Sequence, residues 1–231
     1  MSLISMEFLT FVAVAVIGYY LIPKKYQWIW LLAFSYIYYA SSGMKYLVFL
    51  LYTTVVTYGI ARMIYGADQK FAKQKEKIKT YKKSIMVLAL LLDFGMLAVL
   101  KYTNFAISNV NTLFHADIRM VKFLLPLGIS FYTFQALSYV VDVYRGENQA
   151  QKNPLNMMLY ISFFPQLIAG PIVKYHDIEE QIENRTVTLE GFSYGVKRFI
   201  FGLGKKVILA NTFAEVVDAV YAYQAADVSQ A

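Results

Sequence analysis

Residues Pro126–Gly146 read PLGISFYTFQALSYVVDVYRG, and this stretch decides the fold class. It is apolar enough to enter a bilayer, yet it carries a polar stripe. At roughly 100° per residue, Tyr132, Gln135, Tyr139 and Asp142 fall within an arc of about 80° on a helix. Ser138 and Phe131 sit at the edge of that arc, while Phe134, Leu137, Val140 and Val141 point elsewhere. Such a helix turns one side to lipid and the other to a polar interior. Carboxylates and amides are costly to keep at membrane depth, so the stripe as a whole points to a functional cavity. Gly146 suits a helix C-terminus and Arg145 the negative end of its dipole. Asp142 lies three residues before Arg145, within ion-pair reach.

The rest of the chain supports a membrane setting. Of 231 residues, 58% are hydrophobic and 16% charged, against roughly 25% charged in an ordinary soluble domain. The mean hydropathy is +0.44. With no cysteine, the chain has no disulfide, thiolate metal site or acyl-thioester of its own. The net charge of +7 suits anionic lipid better than nucleic acid, because no aromatic–basic interleaving is present.

Apolar runs are expected at Ile4–Ile22, Trp28–Ala40, Tyr46–Ile64 and Ile85–Tyr102, then through Pro126–Gly146. The leading residues carry no positive charge and no cleavage site, so the first run reads as a retained span. Between the third and fourth runs, Arg62–Lys83 is rich in lysine. By the positive-inside rule it belongs in the cytoplasm, which places the N-terminus outside. The same cluster suits a docking surface for an acidic partner or anionic lipid. Asp93, in the middle of the fourth run, reads as a packing residue. Thr103–Arg119 reads as a polar external segment containing His115. The sixth apolar segment, Leu155–Val173, is interrupted by Pro165 and again by Gly170-Pro171, so it is a kinked span or a re-entrant loop. Gln166, beside the break, is placed to satisfy exposed backbone. Gly191–Asn211 is punctuated by Lys197, Arg198, Lys205 and Lys206; its first part reads as an amphipathic interfacial helix, followed by a last apolar helix over Val207–Tyr223. The expected fold is therefore all-α: a polytopic transmembrane protein of six or seven spans, with a broken segment and an interfacial helix.

Three stretches together, PLGISFYTFQALSYVVDVYRG (Pro126–Gly146), FFPQLIAGPIVKY (Phe163–Tyr175) and GLGKKVILAN (Gly202–Asn211), resemble the membrane-bound O-acyltransferase family. The branch they resemble most is the one named for alginate O-acetyltransferase. The resemblance implies that residues 1–231 are the N-terminal part of one such domain. It further implies an acyl donor on the cytoplasmic side, ultimately acetyl-CoA, with no bound cofactor. The acceptor is an exported polysaccharide or cell-envelope polymer, reached through a second, extracytoplasmic acyltransferase or a polysaccharide-export complex. Tyr132, Gln135, Tyr139 and Asp142 would line or brace the acyl tunnel, and Pro165, Gln166, Gly170 and Pro171 would shape its wall. Lys174, Lys205 and Lys206 would attract the anionic donor. The family's catalytic histidine belongs to a later apolar segment, beyond residue 231. Neither His115 nor His176 matches it, so the chain alone is expected to be inactive. A non-catalytic membrane scaffold and a transporter are the competing readings.

Overall fold

The computed structural model describes residues 5–71, 74–122, 125–167, 172–183 and 186–227. All regular secondary structure among them is helical. The helices are α1 (Met6–Leu21), α2 (Gln27–Ser41), α3 (Leu47–Lys70), α4 (Lys75–Phe114), α5 (Ile129–Arg145), α6 (Pro154–Ser162), α7 (Phe164–Leu167), α8 (Tyr175–Glu183), α9 (Leu189–Gly204) and α10 (Asn211–Asp227). Short 3₁₀ turns, Lys24–Tyr26 and Met44–Tyr46, lead into α2 and α3. The protein is an all-α membrane protein. Among the described residues two stretches are long and apolar enough to span, Met44–Asp68 and Lys75–Phe114, and Met6–Leu21 is a shorter apolar helix. That is fewer than the six or seven spans expected, because α2, α5 and α6 are shorter than a full crossing.

The chain divides into two compact units, Val14–Asn184 and a second made of Met1–Ala13 with Arg185–Ala231. In the first, α3, α4, α5 and α6 pack around a core that includes Tyr39, Leu50, Ile64, Ala89, Tyr132, Tyr139, Tyr160 and Tyr175. The α1–α2 hairpin is pinned within this unit by the Trp30 indole, whose Nε1 donates to the Ala15 carbonyl at 3.0 Å. In the second, α9 and α10 join through a π-helical segment, Lys205–Ala210, into one continuous helix. The expected break between an interfacial helix and a final apolar helix is thus absent. Thr188 caps α9 by accepting from the Gly191 amide at 3.0 Å, and α9 leaves none of its residues buried.

α4 departs most from expectation. It runs for 40 residues, about 60 Å at 1.5 Å per residue, and absorbs much of the anticipated external segment Thr103–Arg119. Its Asn and Thr residues look like loop residues in sequence. Asn104 and Asn111, two turns apart, share one helix face and supply the explanation. Asn104 donates to the Val121 carbonyl (2.7 Å) and accepts from the Val121 amide (2.9 Å). Asn111 does the same with Ile118, at 2.9 and 3.0 Å. The chain doubles back at His115, which takes a left-handed φ of 50°. The two side-chain amides then clasp the returning segment as a strand edge would. The lysine-rich Arg62–Lys83 is likewise mostly helical, split between the end of α3 and the start of α4.

Candidate functional site: the polar cluster of α5 and the broken segment

The stripe read from the sequence is real in space. Tyr132, Gln135, Tyr139 and Asp142 are all buried on α5. The helix is more enclosed than expected, since Leu137 and Val140 are also buried. Only Phe131 and Phe134 are substantially exposed on its lipid-type face, and Phe134 meets Phe94 of α4 edge-on at 5.7 Å. Gly128 makes the entry to α5 possible. Its φ is +70°, and a Cβ there would stand 2.4 Å from the Leu167 carbonyl oxygen, so α5 starts in close backbone contact with α7. At the other end the chain closes a Schellman turn. Gly146 N donates to the Val143 carbonyl at 3.1 Å and Glu147 N to the Asp142 carbonyl at 2.9 Å.

The stripe reaches the broken segment through Gln135. Its Nε2 donates to the Tyr160 carbonyl at 3.0 Å and to Gln166 Oε1 at 3.2 Å. α6 ends at Ser162, Phe163 has a non-helical φ of −56° and ψ of 107°, and α7 restarts at Phe164. A helix end frees carbonyl groups that need partners. Gln135 supplies a partner for Tyr160, one of these carbonyls. On the other side of the break, Phe164 N donates to Ser35 Oγ of α2 at 3.3 Å. The Gln166 side chain accepts from Gln135, and its backbone amide donates to the Phe163 carbonyl at the break at 3.0 Å. Pro165 is exposed on α7, and Gly170 and Pro171 lie outside the described residues.

A second arm of the cluster runs through Tyr139. Its hydroxyl accepts from the Gln151 amide at 2.8 Å, and the Gln151 side chain donates to the Tyr175 hydroxyl at 2.5 Å. Gln151 Oε1 also accepts from the amides of Lys152 (2.6 Å) and Asn153 (2.9 Å). Asn153 in turn caps α6, accepting from Leu155 N at 3.0 Å, with Pro154 in the first turn, where its missing donor costs nothing. The Tyr139, Tyr160 and Tyr175 rings form a closed trio with centroids 5.0 to 6.2 Å apart. The Tyr160 hydroxyl reaches the Val173 carbonyl at 3.0 Å. Gln151, Tyr160 and Tyr175 were not singled out in the sequence. They belong to no periodic pattern, and chain reversal after Gly146 is what brings them to α5.

Electrostatically, Asp142 finds Lys174 rather than Arg145. Lys174 Nζ stands 3.7 Å from Asp142 Oδ1 and 3.9 Å from Glu147, while Arg145 turns to Glu147 at 3.8 Å. The turn after α5 brings Glu147 to Arg145, the last helical residue, and that pairing overrides the three-residue spacing. Lys174 is half exposed, and its charge is shared between two carboxylates. Lys205 and Lys206 belong to the other unit and are exposed on the π segment. Neither histidine joins the cluster: His115 is exposed at the end of α4, and exposed His176 pairs with Asp177 at 2.8 Å. Among the described residues no group of histidines and carboxylates could hold a metal ion.

The arrangement is a buried hydroxyl and amide network laid against an interrupted helix, with one cation at its rim. Comparison with known proteins shows which sequences share it. Residues 147–230 match the model of MBOAT, membrane-bound O-acyltransferase family. The chain is 36% identical over 210 residues to the "Probable alginate O-acetylase AlgI" of Pseudomonas syringae pv. tomato, covering 89% of this chain and 39% of that protein. It is 33% identical over 208 residues to the protein of the same name from Azotobacter vinelandii, covering 88% and 40%. It is 29% identical over 241 residues to the "Peptidoglycan O-acetyltransferase" of Helicobacter pylori, covering 90% and 44%. The chain is similar to members of the membrane-bound O-acyltransferase family along most of its own length, and it spans about two fifths of the length of these relatives. No solved structure matches it.

Proposed function

We propose that this protein takes part in O-acetyl transfer to an exported polysaccharide or cell-envelope polymer. The acetyl group comes from the cytoplasmic side, with acetyl-CoA as ultimate donor. The N-terminus faces outward, and the lysine-rich join of α3 and α4 lies in the cytoplasm. An extracytoplasmic acyltransferase or a polysaccharide-export complex receives the acetyl group. The observation that supports this best is Gln135. It joins the α5 stripe to the break between α6 and α7, and Tyr160 and Gln166 at that break both lie within the family-matched residues 147–230.

In this reading the chain's residues shape and brace the acyl path. Gln135 and Ser35 hold the two sides of the break, so that an interrupted helix persists where lipid would otherwise force it closed. Tyr139 and Gln151 fix the turn that delivers Lys174. Lys174 balances Asp142, and Lys205 and Lys206 supply further positive charge toward an anionic donor. A general base taking the proton of the attacking hydroxyl contributes about 10²–10⁴-fold in rate. That role is assigned to neither His115 nor His176, which both stand outside the cluster. Acetyl transfer in membranes bearing these residues within a chain of the relatives' full length is the test. Gln135→Ala and Asp142→Asn should each lower turnover at least tenfold with membrane expression intact, and His176→Ala should leave it unchanged. Full turnover in both cluster variants would remove the bracing role.

A further inference from the structure

The join between α3 and α4 carries charge that the protein itself does not answer. Asp68, at the end of α3, is taken by Lys82 at 2.6 Å. Glu76 makes no ion pair among the described residues. Lys75, Lys79 and Lys83 are exposed and follow one another at four-residue intervals, which stacks them on one face of α4. Lys77 is exposed at the same depth on the opposite side of the helix. Like charges at that spacing repel and destabilise a helix by a few tenths of a kcal/mol per pair. Yet α4 begins here and keeps its helical form through all four.

Their depth says what answers them. The apolar part of α4 starts at Ile85, so the four lysines occupy the two and a half turns just beyond it. At about 60 Å the helix exceeds the roughly 40–45 Å of a bilayer with its headgroups, so its ends lie among or beyond headgroups. The turn itself is built for an interface. The Phe71 and Tyr81 rings meet at 5.4 Å, and the Lys70 ammonium sits 5.5 and 6.0 Å from their centroids. Aromatic rings with a cation over them are characteristic of the headgroup layer.

We propose that this basic end of α4, with Lys75, Lys79 and Lys83 on one face and Lys77 and the Phe71–Tyr81 pair on the other, is a binding site for the phosphate headgroups of anionic phospholipids. The site is independent of the acyltransferase reading and requires no particular orientation. Each lysine near an anionic surface contributes roughly fivefold in affinity, so a set of four distinguishes lipids by charge.

The test uses purified protein in a neutral maltoside detergent, titrated with short-chain phosphatidylglycerol and phosphatidylcholine as probes. Phosphatidylglycerol should bind at least tenfold more tightly than phosphatidylcholine, and increasingly weakly as salt is raised. Changing Lys75, Lys77, Lys79 and Lys83 together to Gln should lose at least tenfold of that affinity, while the fourfold change to Arg should keep it. Lys82 stays in place, because it holds Asp68. Equal binding of the two lipids, or salt-independent binding by the unmodified protein, overturns the proposal without any variant. So do full affinity in the Gln variant, equal competition by inorganic phosphate (a free-anion site), and tighter capture of an octaglutamate peptide (a protein-docking site).

Discussion

Asp93 and Asp142 are both buried carboxylates on apolar helices, and the protein treats them differently. Asp142, near the end of α5, has Lys174 at 3.7 Å, while its backbone carbonyl accepts from the Glu147 amide. Asp93 sits in the middle of α4 with no exposed surface, and neither of its oxygens has a hydrogen-bond partner among the described residues. Burying an ionised group without a partner is far more costly than burying a paired one. The difference is one of position along a helix. A carboxylate in the last turn can be met by chain that folds back, as Lys174 does. One in mid-helix depends wholly on neighbouring helices, and the nearby Tyr52 hydroxyl of α3 donates to the Leu92 carbonyl rather than to Asp93. The packing role read for Asp93 in the sequence is therefore incomplete, since burial is shown and polar satisfaction is not.

The sharpest way to break this comparison is to take the partner from the ion-paired carboxylate, whose Oδ2 has no hydrogen bond among the described residues. Lys174→Met should cost on the order of 2 kcal/mol. That is below the full cost of an orphaned buried ion, because Lys174 is half exposed and its pairing is partly screened. Thermal unfolding in detergent measures it. Adding Asp142→Asn should recover most of the loss, since the stranded charge is then gone. A double variant as unstable as the single one would mean that Lys174 acts on Glu147 and the turn instead.

A smaller effect tests whether α4 can satisfy polar groups where chain does fold back onto it. Replacing Asn104 and Asn111 by Ala removes four hydrogen bonds to the returning segment. All are exposed, so the expected cost is about 1 kcal/mol in all. Hydrogen exchange gives the clearer readout: the Ile118 and Val121 amides should lose at least tenfold of their protection, while amides in the middle of α4 stay unchanged. Equal loss along the whole helix would show that the clasp is not local.

What the sequence disclosed, and what it did not, follows the same physical line. The α5 stripe was legible because spacing on a regular helix fixes which side chains share a face, and Gly146 marked its end. The interruption near Pro165 was legible because a proline cannot continue the ladder. Gln151, Tyr160 and Tyr175 were not, since they reach Tyr139 and Gln135 by chain reversal, and periodicity carries no information about reversals. The partner of Asp142 was misread for the same reason. The three-residue spacing to Arg145 is geometrically sound on a helix, but Arg145, the last residue of α5, pairs with Glu147 just beyond the helix end instead. The length of α4 was hidden by composition, because residues that favour loops hold a helix when they clasp a neighbouring segment.

The smallest expected effect lies at Asp93, and its smallness is what makes it informative. Replacing a paired buried polar group by an apolar one strands its partner, whereas replacing an unpartnered one strands nothing. Asp93→Val, close in volume and compatible with helix in an apolar setting, should leave the melting temperature unchanged or raise it by a few degrees. The gain comes from removing a group that α4 buries without compensation. If Asp93→Val instead lowers stability by more than about 2 kcal/mol, Asp93 has a partner supplied by chain outside the described residues or by a second protein. The contrast with Asp142 would then be one of where the partner comes from, not whether there is one. Asp93→Asn separates the two cases. An amide keeps the hydrogen-bonding capacity and drops the charge, so recovery by Asn points to a neutral partner, and failure of Asn to recover points to a cation.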